Sequence, residues 1–502
     1  MFLLGYDIGT SSIKATLMDA QTQQVLASAT APDKEMQIIA HQVGWAEQHP
    51  QMWWDNVKTA TGDILATAQM DVADIEAIGI TYQMHGLVTV DANMEPLRPA
   101  IIWCDSRAVK IGDEAAEAIG RQKCLEKLLN FPGNFTATKL KWVMENEPDV
   151  YAKIHKIMLP GDYIAMMMTG EAVTTTSGLS EAILWDFKDN HLSQMLLDYL
   201  EISPDLLCRP VDTFSIQGKL AQKAAAELGL KAGTKVAYRA GDQPNNAFSL
   251  NVLNPGEIAA TAGTSGVVYG IGAKPNYDLK SRVNTFIHVN HKTGDPRYGV
   301  LLCIGGTGIL NSWLKHNVMG AGDDYDRMNK LAAKVSVGSD GLVILPYGNG
   351  AERTLENRDI FASINGLNFN LHSKAHLLRA AQEGIVFALN YGLQIMHAMD
   401  IEVKTIRAGN ANMFLSPLFG RAFATVTGAI VELYNTDGSQ GAARGAGVGA
   451  GIYKDFGEAF GGLRNIRTIE PDQNLESQYS QAYRHWADVL AQRLSDEGGN
   501  DG

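Results

Sequence analysis

Cysteine is scarce in this chain of 502 residues: Cys104, Cys124, Cys208 and Cys303 are the only four, and their spacing allows neither a CxxC zinc pair nor a disulfide framework. Clustered positive charge is missing too. The formal net charge is −13, so the chain carries no electrostatic footprint for nucleic acid. No apolar run approaches the ~18 residues of a membrane span. The start Met1-Phe2-Leu3-Leu4 has no basic region before Asp7, so no signal sequence is expected, and the setting expected is reducing and cytoplasmic. Neither a GxxxxGK[ST] string nor a GxGxxG after a strand occurs, which removes the P-loop and the dinucleotide fingerprint as ways of holding a nucleotide.

What is present points to an α/β enzyme acting on small molecules. Apolar residues make up 45% of the chain, enough for sizeable cores, and 50 glycines spread along it fit many tight strand-to-helix turns. The alternating pattern predicts a strand over 2–6, a turn Asp7-Ile8-Gly9-Thr10-Ser11-Ser12 and a strand over 13–18. Trp54, Val57, Thr61, Ile64, Leu65 and Ala68 recur at helical spacing ahead of a strand over 75–81. The second half opens in the same way: a strand over 258–262, the turn Gly263-Thr264-Ser265-Gly266 and a strand over 267–270. Two hairpins with Gly-Thr-Ser turns imply a duplicated domain, with the turns facing each other across a cleft. The turn signal Asn254-Pro255-Gly256 divides the chain into domains 1–250 and 251–502. Farther on, an apolar stripe from Leu377 to Met399 predicts a long helix. A strand over 405–408, the turn Gly409-Asn410-Ala411-Asn412 and a helix capped by Ser416-Pro417 follow.

Phosphate binding needs converging backbone N–H groups, and both Gly-Thr-Ser turns can supply them; either alone reads first as an ordinary hairpin turn, and their pairing at the heads of the two halves reverses that preference. Phosphoryl transfer to a hydroxyl also needs a carboxylate to accept the proton and a way to neutralise phosphate charge. Two aspartates stand where this is feasible. Asp242 lies in the loop-like string Ala240-Gly241-Asp242-Gln243-Pro244, and Asp7 stands before the first turn; each alone also reads as a turn-former.

The strings GYDIGTSSIK, TYQMHG, IIWCDSRA, FTATKLKW, AGDQPNNA, TAGTSG and EGIVFAL occur in that order, and together they resemble the FGGY carbohydrate kinases, the xylulokinase group most closely. The resemblance implies two actin-like, ribonuclease H-like domains of the hexokinase superfamily. It also implies ATP-dependent phosphorylation of a ketopentose with Mg²⁺, with D-xylulose as the expected substrate. Ribulose, fuculose and glycerol kinases are the near alternatives, and a non-catalytic sugar or ATP sensor the distant one. A sensor is not expected, because strand one starts at residue 2 and the chain ends in a polar tail, 496–502, leaving no place for an added domain. A homodimer is an open expectation.

By position, the resemblance makes Asp242 the catalytic base and Asp7 the acid near the phosphates and metal. Gln83, Met84, His85, Gly86, Trp103, Asp105 and Gln243 fall at sugar-facing positions, with Arg107 just beyond. Thr10, Ser11 and Lys14 match the first phosphate loop, and Gly263, Thr264 and Ser265 the second. Gly305 and Gly306 resemble the stretch beside ATP, and Gly409, Asn410 and Asn412 the adenosine turn. The chain departs from the family at Gln243, where Asn is usual, and at Gly350-Ala351-Glu352-Arg353-Thr354-Leu355, which has an extra Ala and no Pro.

Overall fold

The computed structural model describes residues 1–498; the end of the polar tail, 499–502, lies outside the described residues. In the first half, strands β1 (Phe2–Ile8), β2 (Ile13–Asp19), β3 (Val25–Ala31), β4 (Ile75–Tyr82), β5 (Phe214–Lys219) and β6 (Lys235–Gly241) form one sheet in the order β5-β6-β4-β1-β2-β3. In the second, β7 (Ile258–Ala262), β8 (Gly266–Gly272), β9 (Asn284–Ile287), β10 (Tyr298–Ile304), β11 (Thr405–Gly409), β12 (Ile430–Tyr434) and β13 (Asn465–Ile469) form another, ordered β9-β10-β8-β7-β11-β12-β13. The series β3-β2-β1-β4-β6 and β10-β8-β7-β11-β12 have the same sense at every step: two antiparallel pairs, then two parallel ones. This is the duplication implied by the two hairpins.

Five helices matter for the site: α1 (Pro50–Thr67), α2 (Thr176–Glu181), α3 (Asp242–Ser249), α4 (Lys374–His397) and α5 (Gly438–Gly449). Helix α1 starts at a proline in its first turn and buries Trp53, Trp54, Val57, Ala60 and Ile64. Each large side chain removed from water in this way contributes about 1.5–3 kcal/mol. The buried Tyr6 hydroxyl meets Thr61 Oγ1 at 2.7 Å, which satisfies both polar atoms inside that layer. Helix α4 runs 24 residues, as its stripe predicts, and is buried over most of its length.

Helix α5 belongs to the second half of the chain but packs on the first sheet, against β1, β4 and β6. The approach is backbone to backbone. A Cβ on Gly5 would lie 2.0 Å from Ser439 O, and one on Gly79 2.0 Å from Ala442 O. Glycine is therefore required in the strands for this helix to dock. Gly79→Ala is expected to cost ~2–3 kcal/mol by overpacking and so to lower the Tm by about 5–10 °C, as thermal unfolding would show.

Two local readings differ from the structure. Strand β1 runs on through Asp7 and Ile8, which pair with Lys14 and Ile13, so the first turn is shorter than the sequence suggests. Strand β6 reaches Gly241, and Asp242 opens α3 instead of sitting in a loop, because Pro244 in the first helical turn needs no N–H partner. Among the described residues no helix is long and apolar enough to cross a membrane.

Candidate active site

Parallel strands β1, β4 and β6 end on one edge of the first sheet. Register sets Asp7 beside Thr81, Ile8 beside Tyr82, and Tyr82 beside Gly241. The residues that follow, Gln83 to Gly86 after β4 and Asp242 after β6, must therefore emerge next to Asp7. Ligands of open α/β sheets bind outside these carboxyl ends.

Asp242 is half-buried at the first position of α3, with Gly241 as N-cap. Burial, then the negative charge of Asp7, push its carboxyl up to about 7, while the backbone N–H and side-chain amide of Gln243 pull the other way. Gln243 thus reaches the Asp242 carboxylate. Asp7 is pushed up to about 6 by burial and by Asp437, with Lys14 opposing. Lys14 Nζ binds Asp437 Oδ2 at 2.5 Å. Asp437 caps α5, accepting from Gln440 N at 3.0 Å and from the Ser439 hydroxyl at 2.8 Å. Burial alone would raise Asp437, but Lys14 and these donors hold it below the usual carboxylate range. A Cβ on Gly438 would lie 2.3 Å from Asp7 Oδ2, so the start of α5 touches that carboxylate.

His85 has φ 61, a left-handed conformation unusual for a residue with a Cβ, and the surroundings hold it there. Lys139 Nζ donates to His85 O at 2.8 Å, and His85 Nδ1 meets the carbonyl oxygen of Glu181 at 2.8 Å. The ring lies 4.9 Å from Phe135 and 5.3 Å from Phe286. Burial, then the charge of Lys139, push the imidazole down to about 3, so it is neutral. Burial also lowers Lys139 to about 8, against the charge of Asp105. Met84 packs where a Gly241 side chain would stand, and Gly86 leaves room for Pro160.

Gln83, Thr10 and Trp103 come together: Trp103 Nε1 donates to Thr10 Oγ1 at 2.9 Å, and Thr10 Oγ1 to Gln83 Oε1 at 2.9 Å. A residue read as phosphate-facing therefore bonds two read as sugar-facing. Asp105 is held apart from them. It has no exposed surface, it accepts from Ala46 N at 2.6 Å and from Arg107 N at 2.9 Å, and it forms a two-pronged pair with the Arg107 guanidinium. Arg107 lies over Trp45 at 3.8 Å and also pairs with Glu47 at 2.7 Å. Asp105 thus supports the loop that carries Trp103.

On the second sheet three turns meet. Gly308 N donates to Gly263 O at 2.8 Å and Ile309 N to Thr264 O at 3.1 Å, while the Asn412 amide lies 3.5 Å from the Cβ position of Gly263. Gly305 N donates to Glu352 Oε2 at 2.9 Å, and burial pushes that carboxyl up to about 7. Gly306 is pressed against the Pro346 carbonyl. Asn410 N donates to Tyr434 O at 3.0 Å, which fixes the turn after Gly409. Thr264, Asn410 and Asn412 are exposed, as is Ser11 on the first sheet, and Ser265 is half-buried. Electrostatics reaches from one sheet to the other: behind burial and Glu352, the charge of Asp242 raises the Cys303 thiol on β10, and the charge of Arg353 lowers His85.

Sequence reasoning missed Asp437, Gly438, Glu181, Lys139 and Arg353. Asp437 with Gln440 three residues later is a capping signal that marks the start of α5. Lys139 lies in FTATKLKW and Arg353 in the segment 350–355, strings that mark the resemblance without singling out either cation, and Glu181 carries no local pattern. Among the described residues no three His, Cys, Asp or Glu side chains cluster to hold a metal by themselves.

Two lobes of one actin-like, ribonuclease H-like design, with carboxylates on one edge of the first sheet and glycine turns on the second, fit a phosphotransferase. The chain belongs to the FGGY family of carbohydrate kinases: the family's N-terminal domain matches residues 2–249 and its C-terminal domain 258–452. It is 31% identical to the xylulose kinase of Lactococcus lactis over 79% of this chain and 77% of that one. It is 27% identical to the xylulose kinase of Bacillus subtilis over 97% and 98% of the two chains. A crystal structure described as a xyloylose kinase, from Brucella ovis, superposes with TM-score 0.86 at 28% identity over 97% of this chain and 98% of that one.

Proposed function

We propose that the protein transfers the γ-phosphoryl group of ATP to the terminal hydroxyl of D-xylulose, giving D-xylulose 5-phosphate and ADP. The observation that carries this reading is the convergence of Asp7, the string Gln83-Met84-His85-Gly86 and Asp242 at one sheet edge. The names of the relatives support the sugar. In this reading Met84, His85 and Gln83 bind the ketose, with Trp103 and Thr10 bracing Gln83. Asp242 takes the proton of the attacking hydroxyl as the new oxygen–phosphorus bond forms and the bond to ADP breaks. Gly263, Thr264, Ser265, Gly305, Gly306, Gly409, Asn410 and Asn412 line the nucleotide side. Lys14, tied to Asp437, lies at the phosphate end with Ser11.

Asp7, Asp437 and Asp242 outnumber Lys14, the cation that pairs in this group, which suits a divalent ion arriving with the nucleotide; Asp7 is the residue that would hold it. Mg²⁺ bound there supplies neutralisation of the charge on the transferring phosphate. Closing of the lobes around both substrates would exclude water, the competing nucleophile.

The test of the substrate is kcat/KM for D-xylulose beside D-ribulose, L-xylulose and L-ribulose. A ratio of about 10-fold or more in favour of D-xylulose is expected. A larger value for another sugar would replace the substrate and leave the kinase chemistry standing.

A further inference from the structure

Glu181 ends α2 and is buried, with 2% of its surface exposed. Its Oε1 accepts the Tyr82 hydroxyl at 2.6 Å. Its Oε2 has no hydrogen-bond partner, lies 4.0 Å from His85 Nδ1, and sits 3.0 Å from the position of a Gly241 Cβ, beside Met84. Its carbonyl oxygen, one of those left free at a helix C-terminus, takes the His85 contact at 2.8 Å. One residue thus touches the end of β4, the turn after it and the residue before Asp242. Nearby, Ser177 and Ser180 of the same helix bond Ile287 O and Ile287 N of β9, so α2 is also fastened to the second sheet.

We propose that Glu181 is a positioning residue for the sugar: its side chain locks Tyr82, Met84 and Gly241 into one floor. That floor holds His85 in the tautomer whose Nε2 accepts a hydrogen bond from a sugar hydroxyl. The proposal rests on the sugar-kinase reading. The tautomer follows from donor chemistry. A carbonyl oxygen can only accept, so Nδ1 carries the hydrogen, and in a neutral ring the lone pair is then on Nε2.

The neighbours of Glu181 set the direction of its titration. The charges that face it are Asp242 and Asp162, the latter paired with Arg239 at 3.0 Å, and the phenol of Tyr269 lies nearby. Among the described residues no cation pairs with its carboxyl, and burial together with these acids raises it well above the usual carboxylate range, against the Tyr82 hydroxyl and the His85 backbone N–H. When protonated, the carboxyl would offer an acceptor to Tyr82 through Oε1 and an O–H on Oε2, the oxygen beside Gly241 and Met84. An unpartnered buried O–H is unfavourable, and a bound sugar oxygen or the Asp242 carboxylate would supply its missing partner.

The test uses the full-length enzyme with Glu181→Gln, Glu181→Leu and Tyr82→Phe. For Glu181→Gln, whose amide reproduces both the acceptor and a donor, the sugar KM should stay within about threefold of wild type. For Glu181→Leu it should rise about tenfold or more, and for Tyr82→Phe about threefold or more, with the ATP KM unchanged in both. The idea is overturned by a folded Leu variant with unchanged sugar KM, by a Gln variant as impaired as Leu, or by sugar and ATP constants that worsen together with a lowered Tm. If the Leu variant does not fold, an unchanged sugar KM in Tyr82→Phe overturns it.

NMR of isotope-labelled histidine gives a readout that does not depend on turnover. His85 should stay neutral with hydrogen on Nδ1 from about pH 8 to about pH 5 in wild type, and should lose that single tautomer in Tyr82→Phe or Glu181→Leu. An unchanged His85 signal in the variants overturns the proposal. Wild-type protein inert toward every sugar would instead defeat the kinase reading, and the NMR comparison would still decide the role of Glu181.

Discussion

Asp242→Asn is expected to lower kcat by about 10²–10⁴-fold, the range that general-base catalysis supplies, while the dissociation constant for D-xylulose stays nearly the same. Asparagine keeps the shape and the contact with Gln243 but cannot take a proton. The wild-type carboxyl, pushed up to about 7 by burial and by Asp7, is matched to accepting a hydroxyl proton near neutral pH. In the proposed role it works only when ionised. The wild-type kcat/KM should therefore fall about tenfold for each pH unit below its pKa, with the apparent values belonging to the Asp7–Asp242 pair.

Stability should move the other way. A carboxyl whose pKa is raised on folding contributes stability that is fully present below its unfolded pKa of about 4 and is lost as pH rises through its folded value. That window, from there to about 7, is where wild type should lose stability relative to Asp242→Asn. The variant should thus have the higher Tm at about pH 8 and no advantage at about pH 4. Turnover within about tenfold of wild type would remove Asp242 from the reaction.

Periodic segments were legible because one physical pattern dominates them. The stripe over 377–399 predicts α4 nearly to its ends, and Ser416-Pro417 predicts the cap that its hydroxyl provides to Phe419 N. Helix α5 was not legible, since a run of glycines has poor helix propensity and forms this helix only because β1, β4 and β6 accept no side chains at the contact. Asp7 and Asp242 could be picked out by their strings, yet the Lys14–Asp437 bond spans 423 residues and no local signal links its partners. Asp105 shows the opposite limit. It stands two residues from Trp103, but the Arg107 pair and the Ala46 N–H use its carboxylate, so sequence adjacency says little about which side chain faces a ligand. Glu181 escaped notice because α2 is one short turn and a half, with no repeat that sets an acid apart from solvent-facing ones.

Asp7→Asn should lower kcat/KM for MgATP by about 10²-fold or more and leave sugar binding within about threefold. The reason is the charge balance around the start of α5. Lys14 neutralises Asp437, and the helix cap lowers that acid's pKa, so in the proposed reading Asp7 is the carboxylate left to face incoming nucleotide, with no ion pair of its own among the described residues. Burial and Asp437 keep its pKa near 6, so the ionised form is under strain until positive charge arrives. Removing the charge should weaken the response to Mg²⁺, which a titration of Mg²⁺ at fixed ATP would measure.

Gly438→Ala offers a second route to the same atom. It changes no charge, yet its Cβ would stand 2.3 Å from Asp7 Oδ2, so the carboxylate or the helix start must shift. If the position of Asp7 matters as much as its charge, this variant should reproduce the nucleotide defect with unchanged sugar binding. An alanine variant with wild-type kcat/KM for MgATP, together with a strongly impaired Asp7→Asn, would show that the charge alone acts and that its placement against α5 does not.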